Sequence, residues 1–338
     1  MAKRIGKYTI EMENKPAIKG YAAVCGKKEA QGPLGKVFDQ TFEDTTLGEA
    51  SWEKAESKLQ SKAVTLAIEK SGVTQGDIDF IFAGDLLNQC ISSTFGLKSL
   101  NIPFLGQYGA CSTMAQTLAL SAMMVDSGAA NNCIAVTSSH FCSAERQFRF
   151  PLEYGGQRTP TAQWTVTGSG AAVVGESTKS PQISKITVGR IVDLGVKDAN
   201  NMGAAMAPAA AATLKDFLAD TSTSPSDYDL ILTGDLGEVG SKLLKELLSR
   251  EGIELKDNHK DCGLMIYDKN DQDVHAGGSG CGCSAVVLCS EILNKIENHE
   301  LSSVLFMATG ALMSPTSTQQ GESIPAVAHL VNITSATK

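Results

Sequence analysis

Features that mark several protein classes are missing from this chain of 338 residues. Its apolar runs stay far below the about 20 residues that span a bilayer, and MAKRIGKYTIEMENK (1–15) has no apolar core of signal-peptide length. We therefore expect a cytosolic or membrane-peripheral protein. The 29 basic and 37 acidic side chains form no long block of like charge, and the formal charge of −8 argues against nucleic acid as a partner.

Metal-binding cysteine patterns are also missing. The nine cysteines include no pair at the two-residue spacing of zinc knuckles, and Cys281 and Cys283 have no cluster of further ligands nearby. We expect small, buried, reduced thiols and no metal site. With 42% hydrophobic residues, the chain can bury one large core or two fused ones.

What the sequence does contain is an alternation of helix and strand patterns. Apolar residues recur at three- and four-residue steps over 52–67, which predicts a helix. DIDFIFAG (77–84) is a short apolar run typical of a strand buried on both faces, and a second helix is predicted after GACST (109–113). Further strands are predicted over 133–139, 164–176 and 183–195. The alternation predicts an α/β fold.

The second half of the chain repeats the plan of the first. DYDLILTGDL (227–236) matches DIDFIFAGDL (77–86) at six of ten positions, at an offset of 150. GCGCSA (280–285) and LSSVLFMATG (301–310) then echo GACST and CIAVTSS (133–139) in the same order. We infer an internal duplication with one half over residues 1–180 and the other over 181–338.

Both halves place Gly-Asp where a buried strand ends, at Asp85 and Asp235. Ligands of open α/β sheets bind beyond the carboxyl ends of the strands, so these aspartates are candidate site residues. The same side chains could instead cap the helices that follow. The sequence leaves both interpretations open.

Cys111 and Ser112 lie in GACST, between a glycine and the start of a helix. Exposed N–H groups and the helix dipole at such a place lower the pKa of a thiol, which suits a nucleophile, and they equally suit an anion-binding pocket. A buried, inert cysteine is the third interpretation. A nucleophile would need a proton-transfer partner, for which His140 and His275 are the candidates.

The segment 140–164 is the longest stretch predicted to be irregular, and it carries Arg146, Arg149 and Arg158 among aromatic residues. Arginine pairs bidentately with carboxylates, so this segment is predicted to hold an anionic ligand. Packing at a dimer interface is the alternative.

A duplicated α/β chain with a Gly-Ala-Cys-Ser helix start resembles the thiolase and ketoacyl-ACP synthase III superfamily. The resemblance covers nearly the whole chain and implies a five-layered α-β-α-β-α fold, usually a homodimer, with Cys111 at the superfamily's reactive cysteine. The synthase's catalytic histidine would stand where this chain reads TGDLGEVG (233–240), and its catalytic asparagine where it reads GGSGCGCSA (277–285). Neither residue is present, which predicts a protein without condensing activity.

Longer strings resemble the stage V sporulation protein AD family, among them FIFAGDLLNQ (80–89) and LTGDLGEVG (232–240). That resemblance implies binding of dipicolinic acid, with or without calcium, for its uptake into and release from spores. It also implies a soluble or peripheral component of a membrane complex in the forespore or spore, in contact with the membrane subunits and without a cofactor. The alternative is an acyl-thioester condensing enzyme or acyltransferase with Cys111 as nucleophile and His140 or His275 as base.

Two structural expectations follow from these resemblances. The ligand pocket is expected to be centred on Cys111 and Asp85, with His140 or His275 and one arginine at its rim. Because a bare carboxylate repels a dicarboxylate, Asp85 would act through calcium, through a bridging water or by fixing its loop. A homodimer is expected to place the strand over 133–139 near its twofold axis.

Overall fold

The computed structural model describes residues 2–148, 158–178 and 181–336. The strands are β1 (Lys3–Ile5), β2 (Thr9–Glu11), β3 (Ala17–Gly26), β4 (Gln40–Phe42), β5 (Phe80–Gly84), β6 (Phe104–Gln107), β7 (Asn132–Ser139), β8 (Trp164–Thr165), β9 (Gly168–Gly175), β10 (Gln182–Thr187), β11 (Leu230–Thr233), β12 (His259–Asp261), β13 (Gly278–Ser279), β14 (Ser303–Ala311) and β15 (Ala326–Thr334). The helices are α1 (Lys27–Ala30), α2 (Trp52–Ser71), α3 (Ile91–Leu97), α4 (Thr113–Asp126), α5 (Phe141–Phe148), α6 (Met202–Thr221), α7 (Gly237–Ser249), α8 (Cys262–Met265), α9 (Cys281–Val287), α10 (Leu293–Glu297) and α11 (Pro315–Gln319).

The strands form two five-stranded arrangements with the same order. One runs β6-β5-β7-β9-β3 and the other runs β12-β11-β14-β15-β10, and β10 is joined to β3 through the pair Gln182 and Ala17. In each, the first three strands are parallel and the fourth is antiparallel to both of its neighbours. The topology therefore repeats as the duplicated sequence predicts. The boundary at residue 180 between two units stays a prediction.

Helices cover both faces of each arrangement, which produces five layers. Helices α4 and α9 fill the centre, α2 covers the outer face of the first arrangement, and α6 and α7 cover that of the second. Because successive side chains of a strand point to opposite faces, Phe82 of β5 packs into the central layer while Ile81 and Ala83 pack against α2. The predicted α-β-α-β-α fold is confirmed.

Several predicted elements are also confirmed. Helix α2 is one of them, and residues of the sequence mark both of its ends. The Ser51 hydroxyl accepts a hydrogen bond from the Lys54 amide at 3.4 Å, which caps the first turn. The helix ends at Gly72, whose φ of 75° is a left-handed conformation that favours glycine. In the part of the chain that the structure describes, no helix is long and apolar enough to cross a membrane.

Three predictions about local structure are wrong. The start of the segment predicted to be irregular forms α5, while residues 149–157, with Arg149, lie outside the described residues. The strand predicted over 164–176 is split, because β8 leaves the large sheet to pair with β13. The strand predicted over 183–195 ends at Thr187, and beyond it a single bridge joins Val192 to Ala326.

The strand predicted over 133–139 forms β7, and its expected place near a twofold axis stays a prediction. β7 pairs with β5 on one side and with β9 on the other, so it lies inside its sheet and not at an edge. The edge strand of the first half is β6, which is bonded to β5.

Candidate functional site

A cavity of about 260 Å³ lies beyond the carboxyl ends of β5 and β14, where the two halves meet. Its walls are mainly apolar and are formed by Leu86, Tyr108, Phe148, Met202, Leu312 and Met313. Polar groups are contributed by Glu145, Gln163, Thr165, Asn200, Ser279 and Ser314, and Cys111 also lines it. An apolar cavity with a few convergent polar groups is typical of a small-molecule site.

The turn before α4 places Cys111 at this cavity. Ala110 has a left-handed φ of 50°, and the Ser112 hydroxyl donates to the Gly109 carbonyl oxygen at 2.7 Å, which fixes the turn. The turn lies so close to β14 that a Cβ on Gly310 would come within 2.2 Å of the Gly109 oxygen. Ser112 is fully buried and supports the turn, whereas Cys111 faces the cavity.

Asp235 lies directly behind Cys111 and Ser279. Its Oδ2 accepts hydrogen bonds from the Ser279 hydroxyl at 3.0 Å and from the Gly280 amide at 2.8 Å, and the Cys111 thiol contacts the same carboxylate. Burial raises the pKa of Asp235 to about 6. Burial, together with the Asp235 carboxylate, raises the pKa of the Cys111 thiol well above its usual range.

The expectation that the helix start lowers the pKa of Cys111 is therefore wrong. The amide of Ser112 already donates to the Gly109 carbonyl oxygen at 3.2 Å, and that of Thr113 donates to the carbonyl oxygen of Ala110, so these donors stabilise the turn. A buried thiol beside a carboxylate holds its proton and is a weak nucleophile.

A second buried carboxylate, that of Asp261, stands behind Asp235. It accepts hydrogen bonds from the Thr233 hydroxyl at 2.6 Å and from the amides of Leu236 and Gly237 at 2.9 and 3.0 Å. Burial and the charge of Asp235 raise the pKa of Asp261 to about 7. Two neighbouring carboxyls with raised pKa values lie beneath the cavity as a result.

Asp85 does not line the cavity. Its carboxylate accepts hydrogen bonds from the Leu87 amide at 2.9 Å, the Ser93 amide at 2.8 Å and the Ser93 hydroxyl at 2.6 Å. It is fully buried, and burial raises its pKa. Of the three roles expected for Asp85, the geometry matches fixing its loop.

Another buried carboxyl, that of Glu56 on α2, adjoins Asp85. The hydroxyls of Ser138 and Ser143 donate to Glu56 at 3.0 and 2.7 Å. Burial, and then the charge of Asp85, raise the pKa of Glu56 to about 8. Burial beside a second carboxyl therefore favours the protonated form of Glu56.

The structure also places the two candidate histidines away from the cavity wall. The Nε2 of His140 lies 2.8 Å from the Thr45 carbonyl oxygen, and its Nδ1 accepts from the Cys142 amide at 3.2 Å, so both ring nitrogens are engaged. Burial lowers the pKa of His140. His275 pairs with Asp273 at 3.0 Å.

The two arginines that the structure describes in the predicted ligand-holding segment are engaged elsewhere. Arg146 pairs with Glu53 and lies over the ring of Trp52, at 5.3 Å from its centroid. Arg158 donates to the Asp273 carbonyl oxygen at 2.9 Å and lies over the ring of Trp164. Neither lines the cavity.

Gln163 is a cavity residue that the sequence analysis did not identify. Its amide donates to the Asp235 carbonyl oxygen at 2.7 Å and to the Gly278 carbonyl oxygen at 2.8 Å, which joins β8 to the strand ends beneath the cavity. Because side chains alternate, Gln163 and Thr165 face the cavity while Trp164 faces away. The sequence offered one signal for this, the polar residue on each side of Trp164. The apolar wall carries no comparable signal in the sequence.

No group of three or more histidine, cysteine, aspartate or glutamate side chains within residues 2–148, 158–178 and 181–336 is placed to hold a metal ion.

Solved structures share this architecture. The chain is similar to 3-oxoacyl-[acyl-carrier-protein] synthase III from Aquifex aeolicus VF5, with a TM-score of 0.57, 12% identity and coverage of 94% of this chain and 99% of that one. It is also similar to a variant of OleA from Xanthomonas campestris, with a TM-score of 0.59, 12% identity and coverage of 98% and 99%. The fold is that of the thiolase-like condensing enzymes.

Within that class, the chain belongs to the stage V sporulation protein AD family, whose sequence model matches residues 6–334. The chain is 48% identical over 327 residues to stage V sporulation protein AD of Bacillus subtilis (strain 168), a match that covers 97% of this chain and 96% of that protein. Its membership of this family indicates a role in sporulation.

Proposed function

We propose that this chain is a non-catalytic binding protein for dipicolinic acid, pyridine-2,6-dicarboxylate, and that it serves the uptake of this compound into spores and its release. The observation that carries the proposal is the cavity at Cys111. Its volume of about 260 Å³ is just below the about 300–1,000 Å³ of pockets for drug-sized ligands, which suits a ligand with one ring. Tyr108 and Phe148 offer aromatic surface to a flat ring.

The charge of the cavity sets a condition on the ligand. Among the described residues that line it, Glu145 is the charged one, and there is no lysine, arginine or histidine. A dicarboxylate would therefore need calcium bound to it, or a proton taken up by the protein, to offset its charge. Its carboxylates would meet neutral donors such as Thr165 and Asn200.

The geometry around Cys111 supports binding over catalysis. An acyl-transfer site needs free donors for the developing oxyanion, but the Gly280 amide of the glycine loop already donates to Asp235 at 2.8 Å. The thiol pKa is raised, and no histidine among the described residues lines the cavity. An acyltransferase using Cys111 is the competing proposal, because the fold is shared with condensing enzymes. Mass measurement after incubation with acetyl-CoA tests it, since an acyl-enzyme would gain the acyl mass at Cys111.

Calorimetric titration with dipicolinate tests the proposed function. We expect saturable binding, with and without calcium, and little heat from isophthalate, which has the same carboxylates but lacks the ring nitrogen. The Cys111→Ala variant should bind at least about tenfold more weakly, or about 1.4 kcal/mol, with its thermal midpoint nearly unchanged. Absence of binding by the wild-type chain under both conditions would contradict the function.

We further propose that the chain forms a homodimer through β6. This strand lies at the edge of its sheet, and Phe104 and Leu105 on it are 39% and 48% exposed, with Phe95 of the neighbouring α3 57% exposed. An apolar edge strand is a surface on which an identical strand can pair. Light scattering should give the dimer mass, and Leu105→Lys should give the monomer. A monomer mass for the wild-type chain at high micromolar concentration contradicts this proposal.

Attachment to membrane subunits in the forespore or spore is also a proposal. The segment after β10 exposes Val188, Ile191 and Leu194 by 47%, 69% and 67%, which supports a contact surface separate from the cavity and from β6. The double variant Ile191→Asp, Leu194→Asp should bind dipicolinate normally in solution yet lower the dipicolinate content of spores that carry it. Unchanged spore content would contradict a role for this surface.

A further inference from the structure

The cavity floor presents two polar groups that share one partner. Ser279 and Cys111 both line the cavity, and both contact the carboxylate of Asp235, which lies behind them and is fully buried. Asp235 is thus one layer removed from any ligand. It controls where the hydroxyl and thiol protons point.

We propose that Asp235 is a positioning residue whose protonation converts the cavity floor from hydrogen-bond acceptor to hydrogen-bond donor, so that a carboxylate ligand is bound with uptake of one proton. This inference rests on the proposed function, because it concerns dipicolinate in the same cavity. It adds a coupling between ligand affinity and pH.

Hydrogen-bond directions carry the first step. An ionised carboxylate only accepts, so the Ser279 hydroxyl donates to Oδ2 and away from the cavity, and the buried charge, whose Oδ1 has no hydrogen-bond partner among the described residues, draws the proton of the neighbouring Cys111 thiol in the same direction. The ligand then meets an oxygen and a sulfur lone pair, with a negative charge behind them. A ligand carboxylate also only accepts, so the two sets of acceptors repel.

Protonation of Asp235 removes this conflict. The added proton turns one carboxyl oxygen into a donor, while Oδ2 can still accept from the Gly280 amide, which lies 2.8 Å away. Oδ1, which is buried and accepts no hydrogen bond from the residues that the structure describes, takes the proton, so the Cys111 thiol is free to rotate its own proton toward the cavity and to donate to the ligand, while Ser279 keeps its bond to Oδ2. The buried negative charge is removed in the same step.

The groups packed around Asp235 favour proton uptake by its carboxylate as the way to offset the negative charge of the ligand. Asp261 faces it from the second layer, Thr309 faces it from β14, and the neighbouring thiols Cys262, Cys281 and Cys283 carry raised pKa values from burial. Glu145 lines the cavity from α5. No lysine, arginine or histidine is present among the described residues that line the cavity. The pKa of Asp235 is about 6, so its carboxylate can take up a proton near neutral pH.

Calorimetry of dipicolinate binding without calcium, in buffers of different ionisation enthalpy, measures the proton directly. Both ligand carboxyls stay ionised between about pH 5.5 and 8, so the ligand contributes no titration there. We expect uptake of about one proton above about pH 6, and an affinity that falls about tenfold per pH unit. Asp235→Asn, which cannot ionise, should bind without proton uptake and with an affinity independent of pH.

Asp261→Asn is the matched control, since Asp261 contacts neither Cys111 nor Ser279 through a hydrogen bond and its variant should retain proton uptake. Binding by the wild-type chain without proton uptake overturns the inference. So does proton uptake that persists in Asp235→Asn.

A measurement without ligand separates this inference from the proposed function. The infrared S–H band of Cys111, obtained as the difference from Cys111→Ser, should shift between about pH 5 and 8 in the wild-type chain and stay fixed in Asp235→Asn. An S–H band that does not respond to pH overturns the inference whether or not dipicolinate binds. A responsive band in a chain that binds no dipicolinate would uphold the switch in the free protein and refute the function.

Discussion

Asp85 and Asp235 occupy the same position in the two halves, each within Gly-Asp-Leu at the end of a buried strand, but their partners differ. Asp85 accepts three hydrogen bonds from its own loop and the helix that follows, through Leu87 and Ser93. Asp235 accepts none from its own loop and instead contacts Ser279, Gly280 and Cys111.

The neighbouring strand explains the difference. In the second half the loop after the strand is held by Asp261, at the end of β12, which binds the amides of Leu236 and Gly237. The equivalent strand of the first half, β6, ends at Gln107 and supplies no carboxylate. Because Asp261 holds this loop, the Asp235 carboxylate is available to contact the residues of the cavity floor. A shared motif therefore does not fix a shared role.

Away from the cavity, the halves keep the same chemistry. Asp79 accepts hydrogen bonds from the amides of Asn131 and Asn132 at 2.6 and 3.1 Å. Asp229, at the matching position of the second half, accepts from the amides of Ser302 and Ser303 at 2.7 and 3.0 Å. Asp79 and Asp229 thus keep one role in both halves, whereas Asp85 and Asp235, at the end of the sheets where the cavity lies, do not.

The largest expected effect on stability is that of Asp85→Ala. The change leaves the donors of Leu87 and Ser93 buried without partners, each at a cost of about 1–3 kcal/mol, so we expect a loss of about 4 kcal/mol. Asp235→Ala removes two hydrogen bonds together with a poorly solvated charge, and should cost less than about 2 kcal/mol. Urea unfolding at about pH 7 compares them. Equal losses would mean that the two aspartates play the same part.

Glu56→Gln should change how stability depends on pH. The pKa of Glu56 is about 8 in the folded chain and 4.5 ordinarily, so its contribution is full below about pH 4.5 and is lost as the pH rises through about 8. Glutamine removes this loss, so the variant should gain on the order of 3 kcal/mol relative to the wild-type chain between about pH 5 and 8. Glu53→Gln, on the same helix, should leave the slope unchanged. Parallel curves for the wild-type chain and Glu56→Gln would show that Glu56 is ionised when folded.

Asp261→Ala tests whether Asp261, at the end of β12, holds the loop after β11 in place. Loss of the hydrogen bonds to Leu236 and Gly237 should cost about 2 kcal/mol and weaken dipicolinate binding, although Asp261 does not line the cavity. Unfolding and calorimetry on one preparation provide both values. An unaltered affinity would show that the loop keeps its place without this anchor.

The smallest effect is expected for Arg146→Ala, which changes neither strand end. Arg146 is half-exposed, and its pair with Glu53 and its contact with Trp52 should contribute less than about 1 kcal/mol together. Dipicolinate affinity should stay the same. A tenfold loss of affinity would show that Arg146 belongs to the ligand site, as the sequence predicts.

The sequence was informative where periodicity and order decide the structure. Helix α2, strand β5 and the repeat of the strand order follow from apolar spacing and from the offset of 150 between the two Gly-Asp-Leu segments. Helix α5 was missed because Arg146 and its polar neighbours resemble a loop when their contacts with α2 are unknown.

The candidate site was predictable only in part, because contacts between residues far apart in the sequence decide which side chains form it. Cys111 was placed at the cavity from its helix start, but the direction of its pKa shift depends on its burial and on Asp235, which lies 124 residues further along the chain. Asp85 and Asp235 looked equivalent, and the residue that separates their roles, Asp261, has no special motif. Burial and cross-strand partners are not encoded in local spacing.

Filling the cavity at Cys111 tests most directly the proposal that dipicolinate occupies it. Ala199 lines this cavity and is half-buried at its margin, so Ala199→Trp should fill it without disturbing the core. Calorimetric titration should show dipicolinate binding by the wild-type chain and by Lys256→Trp, an exposed position near the opposite ends of the strands, but not by Ala199→Trp at the same thermal midpoint. Normal binding by a folded Ala199→Trp variant would contradict the claim.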